Sequence, residues 1–274
     1  MKLNQRFLHM VVAMLIAAAV VAIGSYAEDT EPERIQREPI DILTNEDFVG
    51  ANGVVSGAGT EEDPFVISGH IIDVSDALFG IRIQGTDSWF EIVDCIVHGP
   101  GTSGIRFLNV ENGTIRDCAV SETEFGFDID SSRNCSFIEN RVQSCGSSLF
   151  LYAASFNTFS GNAIENGIGG FTLYAESCNN HIFDNTVDAG SALTINAGCD
   201  ANWIYRNDFL RGRASSSGYN RWHNKENEGN YWANYTGEDE DGDGFGELVY
   251  RLLGSSQEFD YHPAIAPYRQ KDAD

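Results

Sequence analysis

The chain has 274 residues, 42% of them apolar and 21% charged, and its 41 Asp and Glu outweigh 17 Lys and Arg to give a formal charge of −24. That length holds one sizeable domain beyond any export signal. So acidic a chain, with lysine confined to Lys2, Lys225 and Lys271, excludes nucleic acid as the natural partner, because phosphate binding needs clustered basic side chains.

Residues 1–27 read as a secretory signal peptide. Lys2 and Arg6 precede an apolar run from Met10 to Ile23, and the small-residue stretch Ser25-Tyr26-Ala27 closes it. The run is shorter than the roughly 20 residues that cross a bilayer, so the expectation is a secreted, extracellular or cell-surface protein with no transmembrane segment after cleavage. Residues 28–56 follow as an acidic leader or linker and N-terminal cap, since Glu28 to Asp41 is rich in acids and poor in large apolar side chains.

From residue 57 to 213 the chain repeats. The segments "FEIVDCIV", "GTIRDCAV", "CSFIENRV", "NTFSGNAI", "NHIFDNTV" and "NWIYRNDF" place Cys95, Cys118, Asn140, Asn162, Asn185 and Asn207 at equivalent positions, 22 or 23 residues apart. An apolar residue stands three before each, from Ile92 to Ile204, and another two after, from Val97 to Phe209. A second run keeps the same beat in Ile105, Phe127, Leu149, Phe171 and Leu193, and a looser early copy holds Ile67, His70, Ile72, Ile81 and Ile83. Periodicity of this length, in short alternating β-type segments broken by Gly, Asn and Ser, signals a solenoid. The Leu-x-x-Leu-x-Leu frame of leucine-rich repeats is missing. The prediction is an all-β, single-stranded parallel β-helix of about seven rungs, each burying the face its neighbour cannot bury alone. Stacked at about 4.8 Å, seven rungs make a rod on the order of 30 Å long.

The column of asparagines falls where the coil must bend. Asparagine tolerates left-handed backbone angles better than other non-glycine residues, and stacked amides can pair along the column. Cys95, Cys118, Asn140, Asn162, Asn185 and Asn207 are therefore read as one structural ladder that turns the coil, with Asn157, Asn180 and Asn202 marking a second.

Strand alternation sends two columns outward from the second run: Arg106, Asp128, Phe150, Thr172 and Thr194, then Leu108, Asp130, Tyr152, Tyr174 and Asn196. Asp128 and Asp130 are the candidate catalytic pair, because glycoside hydrolysis uses two carboxylates about 5 to 9.5 Å apart; the alternative is two solvated acids. Phe150, Tyr152 and Tyr174 are the candidate ligand-binding patch, suited to stacking on sugar rings or meeting a protein, unless a loop or the leader covers them. Adjacent coils bring Cys95 and Cys118 within disulfide range, but buried thiols also fill such ladders as small apolar groups.

Residues 214–270 read as a C-terminal cap over the last open strand edge. Within it "DEDGDGFGE" alternates Asp239, Asp241 and Asp243 ahead of Gly244, with Glu247 following. These four acids are the candidate metal ligands, for a structural Ca²⁺. The twelfth position of an EF-hand counted from Asp239 is Tyr250, so the loop is not of that type; a solvated acidic turn is the alternative.

At these residues the chain resembles the NosD-like proteins. "GAGTEEDPFVISGHIID" is similar to that family's first coil, and "GNYWANYTGEDEDGDGFGE" with the later "FDYHP" to its C-terminal cap; the likeness runs from about Gly57 to Tyr268. The resemblance implies a right-handed coil, secretion, and repeats associated with carbohydrate binding and sugar hydrolysis. The family's namesake serves copper delivery, for which this sequence offers little: Met1, Met10 and Met14 all lie in the signal peptide, and the later histidines show no close ligand spacing. The expected function is non-catalytic binding of carbohydrate or a cell-surface protein. A polysaccharide hydrolase or lyase is the alternative, and a metal-enzyme maturation factor a further one.

Overall fold

A computed structural model of the protein describes residues 34–270. Residues 1–33, which include the expected signal peptide and all three methionines, lie outside the described residues. What is described is almost entirely β-structure, in parallel strands that stack into a solenoid of about eight turns. Each regular coil runs through three short strands, such as Phe90–Val93, Ile96–His98 and Ser103–Val110. The next coil repeats them at Gly113–Arg116, Ala119–Ser121 and Phe125–Asp130. Register is kept residue for residue: Ile92 pairs with Ile115, Ile115 with Phe137, and Phe137 with Phe159. In the fourth and fifth repeats the second and third strands merge into Ala163–Tyr174 and Thr186–Ile195.

Registration builds the core. Ile92, Ile115, Phe137, Phe159, Ile182 and Ile204 are each fully buried in one interior column. Within it the Phe137 and Phe159 rings stack at 4.7 Å. Burial of this kind is worth about 2 kcal/mol for each large apolar side chain, and no single coil could enclose them.

The leader is shorter than its composition suggests. Ile35–Gln36 pairs in parallel with His70–Ile71, and Ile40–Ile42 with Ile81–Ile83, so residues 34–42 already form part of the first turn. Ile40 and Ile42 are buried on either side of exposed Asp41. Two apolar residues in alternation are enough once a preformed edge receives them, although such a pair is too brief to stand out among acids.

The bends also differ from expectation. The residue before each ladder position takes the left-handed conformation: Asp94, Asp117, Glu139, Gly161, Asp184 and Arg206 have φ between 53° and 67°. None of the six ladder residues does. The asparagines act through their side chains instead. Asn162 Oδ1 accepts the Asn140 backbone N–H and Nδ2, both at 3.0 Å, while its own Nδ2 donates to Phe137 O and Asn185 Oδ1 at 2.9 Å. Asn185 and Asn207 repeat the pattern, which continues onto Asn230. At the early end sulfur takes over, and the Cys95 N–H reaches Cys118 Sγ at 3.4 Å. All six cysteines are free thiols. A second ladder runs Cys135, Asn157, Asn180, Asn202 and Asn220 at the corner between the third strand and the next first strand.

Both ladders point the same way, each rung donating toward the C-terminal end, so their last N–H groups need acceptors from outside the ladder. One segment supplies two. Asp260 Oδ2 accepts from Asn230 N (2.8 Å), Asn230 Nδ2 and Trp232 Nε1, and Glu258 Oε1 accepts from the Asn220 N–H. Asp260 is fully buried. Burial pushes its carboxyl up to about 6, against the pull of those donors. Trp222, Trp232 and Phe209 close the core beneath this lid, Trp232 stacking between Phe209 at 4.5 Å and Tyr250 at 4.3 Å.

Candidate functional site

The two outward columns stand in parallel register on the third strands. Asp128 lies between Arg106 and Phe150, and Asp130 between Leu108 and Tyr152. Asp128 faces outward yet is buried. Its Oδ2 accepts from Ser103 Oγ at 3.0 Å and pairs closely with Arg106, whose other nitrogen lies 3.6 Å from Asp130. Burial raises the Asp128 carboxyl above its ordinary value, and the Arg106 charge opposes the shift. The Arg106 and Arg82 guanidinia flank the Phe79 ring at 5.6 and 5.1 Å. The two carboxylates named as the candidate catalytic pair thus share an arginine, an arrangement suited to holding strands together.

Phe150 is half-buried against Phe125, with ring centroids 5.1 Å apart. That leaves Tyr152 and Tyr174, 42% and 49% exposed. Their rings stack one rung apart at 5.8 Å and 26°. Beyond Tyr174 the next rung supplies the short Asn196, so the stack stops, and a cavity of about 390 Å³ opens there between Tyr174, Glu176, Asn196 and Gly198. One face of the tyrosine is covered by its neighbour and the other looks into this space.

The acidic loop folds on itself. Ligand oxygens of Asp239, Asp241 and Glu247 lie within 4.8 Å of one another. Asp243 stands outside that group, accepting the Phe245 N–H at 2.8 Å. Asp239 accepts the N–H groups of Gly242 and Gly244 at 2.7 and 3.0 Å.

Sequence reasoning missed two groupings. On the outer face of the first strands His181 stacks on Trp203 (5.6 Å) and Phe183 on Tyr205 (5.2 Å), with Arg221 4.4 Å over Trp203. The same alternation that buries Ile182 and Ile204 would have placed these rings outside. In the cap, His223 and His262 meet edge to face with ring centroids 5.1 Å apart. Desolvation, then the nearby His262 and Arg221, lower the His223 imidazole from its usual value. No spacing rule finds this pair, because the intervening chain makes a whole excursion through the acidic loop.

A polar cavity of about 500 Å³ lies under the C-terminal segment, beside Arg141, Asp184, Arg206, Asp208 and Arg269. Several of its charges are already engaged: Arg206 with Asp184 and Glu228, Arg141 with Glu165, Asp208 with the N–H groups of Tyr268 and Arg269, and the Arg269 guanidinium with Gly161 O.

Residues 34–237 match the family described as periplasmic copper-binding protein (NosD). The chain belongs to the NosD family. No curated protein matches it. The family is periplasmic, in keeping with a place outside the cytoplasm, and no helix among the described residues is long and apolar enough to cross a membrane.

Copper asks for imidazole or sulfur donors. Five of the six thiols are buried, and the half-buried Cys178 is engaged with Gly198 O and the Asp200 N–H. His70 is buried with its Nε2 on Gly53 O, and His181 is stacked on Trp203. Among the described residues His223 and His262 are the imidazoles that meet, and the metal-capable group of side chains is the all-carboxylate one of Asp239, Asp241 and Glu247.

Proposed function

We propose that the protein is an extracytoplasmic β-helix module that binds carbohydrate without transforming it, the sugar ring lying on the open face of Tyr174. The observation that carries this reading is the interrupted aromatic stack: Tyr152 backs Tyr174 at 5.8 Å, and the cavity at its free face is walled by Asn196 and Glu176. An aromatic face satisfies the apolar C–H side of a pyranose while amide and carboxylate groups take its hydroxyls. Against the hydrolase alternative stands the engagement of Asp128 with Arg106 and Ser103. A Ca²⁺ ion held by Asp239, Asp241 and Glu247 belongs to the same reading as a brace for the cap, not as part of the binding face.

A glycan array read beside a reducing-sugar assay on the bound glycans tests it. Tyr174→Ala is expected to weaken the retained glycan about 5- to 30-fold, the equivalent of about 1–2 kcal/mol of stacking, with no sugar released by either protein. Release of reducing ends that Asp128→Asn abolishes would replace binding by hydrolysis.

A further inference from the structure

We propose that the Tyr174 cavity selects amino sugars, the ring lying on Tyr174 and the protonated amine held by Glu176. The inference rests on the carbohydrate reading above and narrows it to one class of glycan.

An inserted residue makes the cavity. The outward column Leu108, Asp130, Tyr152, Tyr174 and Asn196 keeps a spacing of 22 throughout. The next buried residue follows two positions later in the first three of these coils, at Val110, Ser132 and Ala154, and three positions later in the last two, at Ser177 and Cys199. The earlier turns pass through a single left-handed residue, Asn109, Ser131 or Ala153; the fourth passes through two, Ala175 at φ 52° and Glu176 at φ 62°. The widened turn is clamped. Ser177 Oγ donates to Tyr174 O at 2.8 Å and accepts the Ala154 N–H at 3.1 Å, and Ser155 Oγ donates to Glu176 O at 3.4 Å. In the next coil the equivalent of Glu176 is Gly198, φ 81°, and Glu176 Cγ lies 3.8 Å from where a Cβ would stand there. The stem of the acid thus reaches across the rung boundary, at the edge of the space that Tyr174 and Asn196 also line.

What this space offers is acceptors. The Glu176 carboxylate has no hydrogen-bond or ion-pair partner among the described residues. Asn196 spends its Nδ2 on Leu173 O at 3.3 Å, which leaves Oδ1 to accept. Among the described residues no Lys, Arg or His lines the cavity. A free carboxylate beside an aromatic face is the pairing that recognises an ammonium group, through charge-assisted hydrogen bonds to the oxygens and cation–π attraction to the ring. A hydroxyl or an N-acetyl group brings no charge to either. A uronic acid is repelled, by Glu176 and by the formal charge of −24 on the whole chain.

The test compares, on the full chain and by titration calorimetry, glucosamine oligomers, the same oligomers after N-acetylation, and uronic acid oligomers of equal length. The free amine is expected to bind about 10-fold more tightly than the acetylated form, with added salt weakening the first and sparing the second, and the uronic acid not to bind. Glu176→Gln should erase the difference and leave the acetylated oligomer unchanged, whereas Tyr174→Ala weakens both. If Glu176→Gln loses its native circular dichroism, the acetylation and salt comparisons on the unmutated protein decide. Acetylated or uronic acid oligomers that bind at Tyr174 as tightly as the free amine, or a folded Glu176→Gln protein that keeps the preference, would overturn the amine assignment and leave the carbohydrate reading standing. A lysine-rich peptide held as tightly as the glucosamine oligomer would overturn it too, since the ammonium would then be recognised without its ring. If no glycan of any kind depends on Tyr174, the carbohydrate reading falls and takes this one with it.

Discussion

Replacing Asn162 by alanine probes what holds successive coils in register. The substitution leaves the Asn140 N–H without its acceptor at 3.0 Å, strips one of two partners from Asn140 Nδ2, and takes the amide donor from Phe137 O. Asn185 Oδ1 keeps the backbone N–H of residue 162. One fully orphaned buried group costs about 1–3 kcal/mol, the two weakened ones about 1 kcal/mol each, and the lost packing somewhat less. The sum is about 3–5 kcal/mol, a fall in melting temperature of roughly 6–20 °C for a domain of this size. Asn162→Asp should be worse at neutral pH, since its carboxylate faces Phe137 O and Asn185 Oδ1. Burial raises such a carboxyl in the folded state, so its penalty is present above that raised value and fades as protonation restores a donor. Differential scanning calorimetry of both variants between pH 4 and 8 measures this. A loss below about 1 kcal/mol in the alanine variant, or an aspartate variant whose penalty does not shrink on acidification, would refute the view that the ladder's hydrogen bonds stabilise the stack.

Arg106→Met should leave the buried Asp128 carboxylate unneutralised and cost about 3 kcal/mol at neutral pH, the lower end for a buried pair because 25% of the Arg106 side chain stays exposed. Asp128 already has a raised carboxyl, so the deficit is greatest above that value and should narrow as pH falls through it, as thermal melts across pH would show. Glu139 takes φ 53°; Glu139→Val should cost about 1–2 kcal/mol, while Glu139→Gly stays within about 1 kcal/mol of the parent in guanidinium unfolding. If Asp239, Asp241 and Glu247 hold Ca²⁺, calcium at 100 times its dissociation constant adds about 2.7 kcal/mol, and a chelator should lower the melting midpoint correspondingly; an unchanged midpoint rejects the ion.

The fold was legible because a 22-residue period sets like on like, and any residue type that works in one coil works in all. Asn230 and Asn220 were missed only because the count stopped at the repeat's apparent end. The bend was misassigned by one position for a physical reason: the left-handed site is filled by Asp, Glu, Gly or Arg, since its side chain points to solvent and leaves no pattern, whereas the buried neighbour is conspicuous. The burial of Asp128 was not legible because alternation tells which way a side chain leaves a strand, and not that Arg106 and Ser103 will close over it. His223 and His262 come together only through the path of the cap.

The two ladders also give the solenoid a direction of failure. Toward the C-terminus each rung is held by amide pairs that end on Asp260 and Glu258; toward the N-terminus the same positions hold thiols, joined by one longer sulfur contact. A polarised zipper of this kind opens from its weaker end. Amide exchange and proteolysis should therefore enter at the first coils and travel toward the cap, so that an early nick frays the rod while the Tyr174 face and the capped end keep their shape.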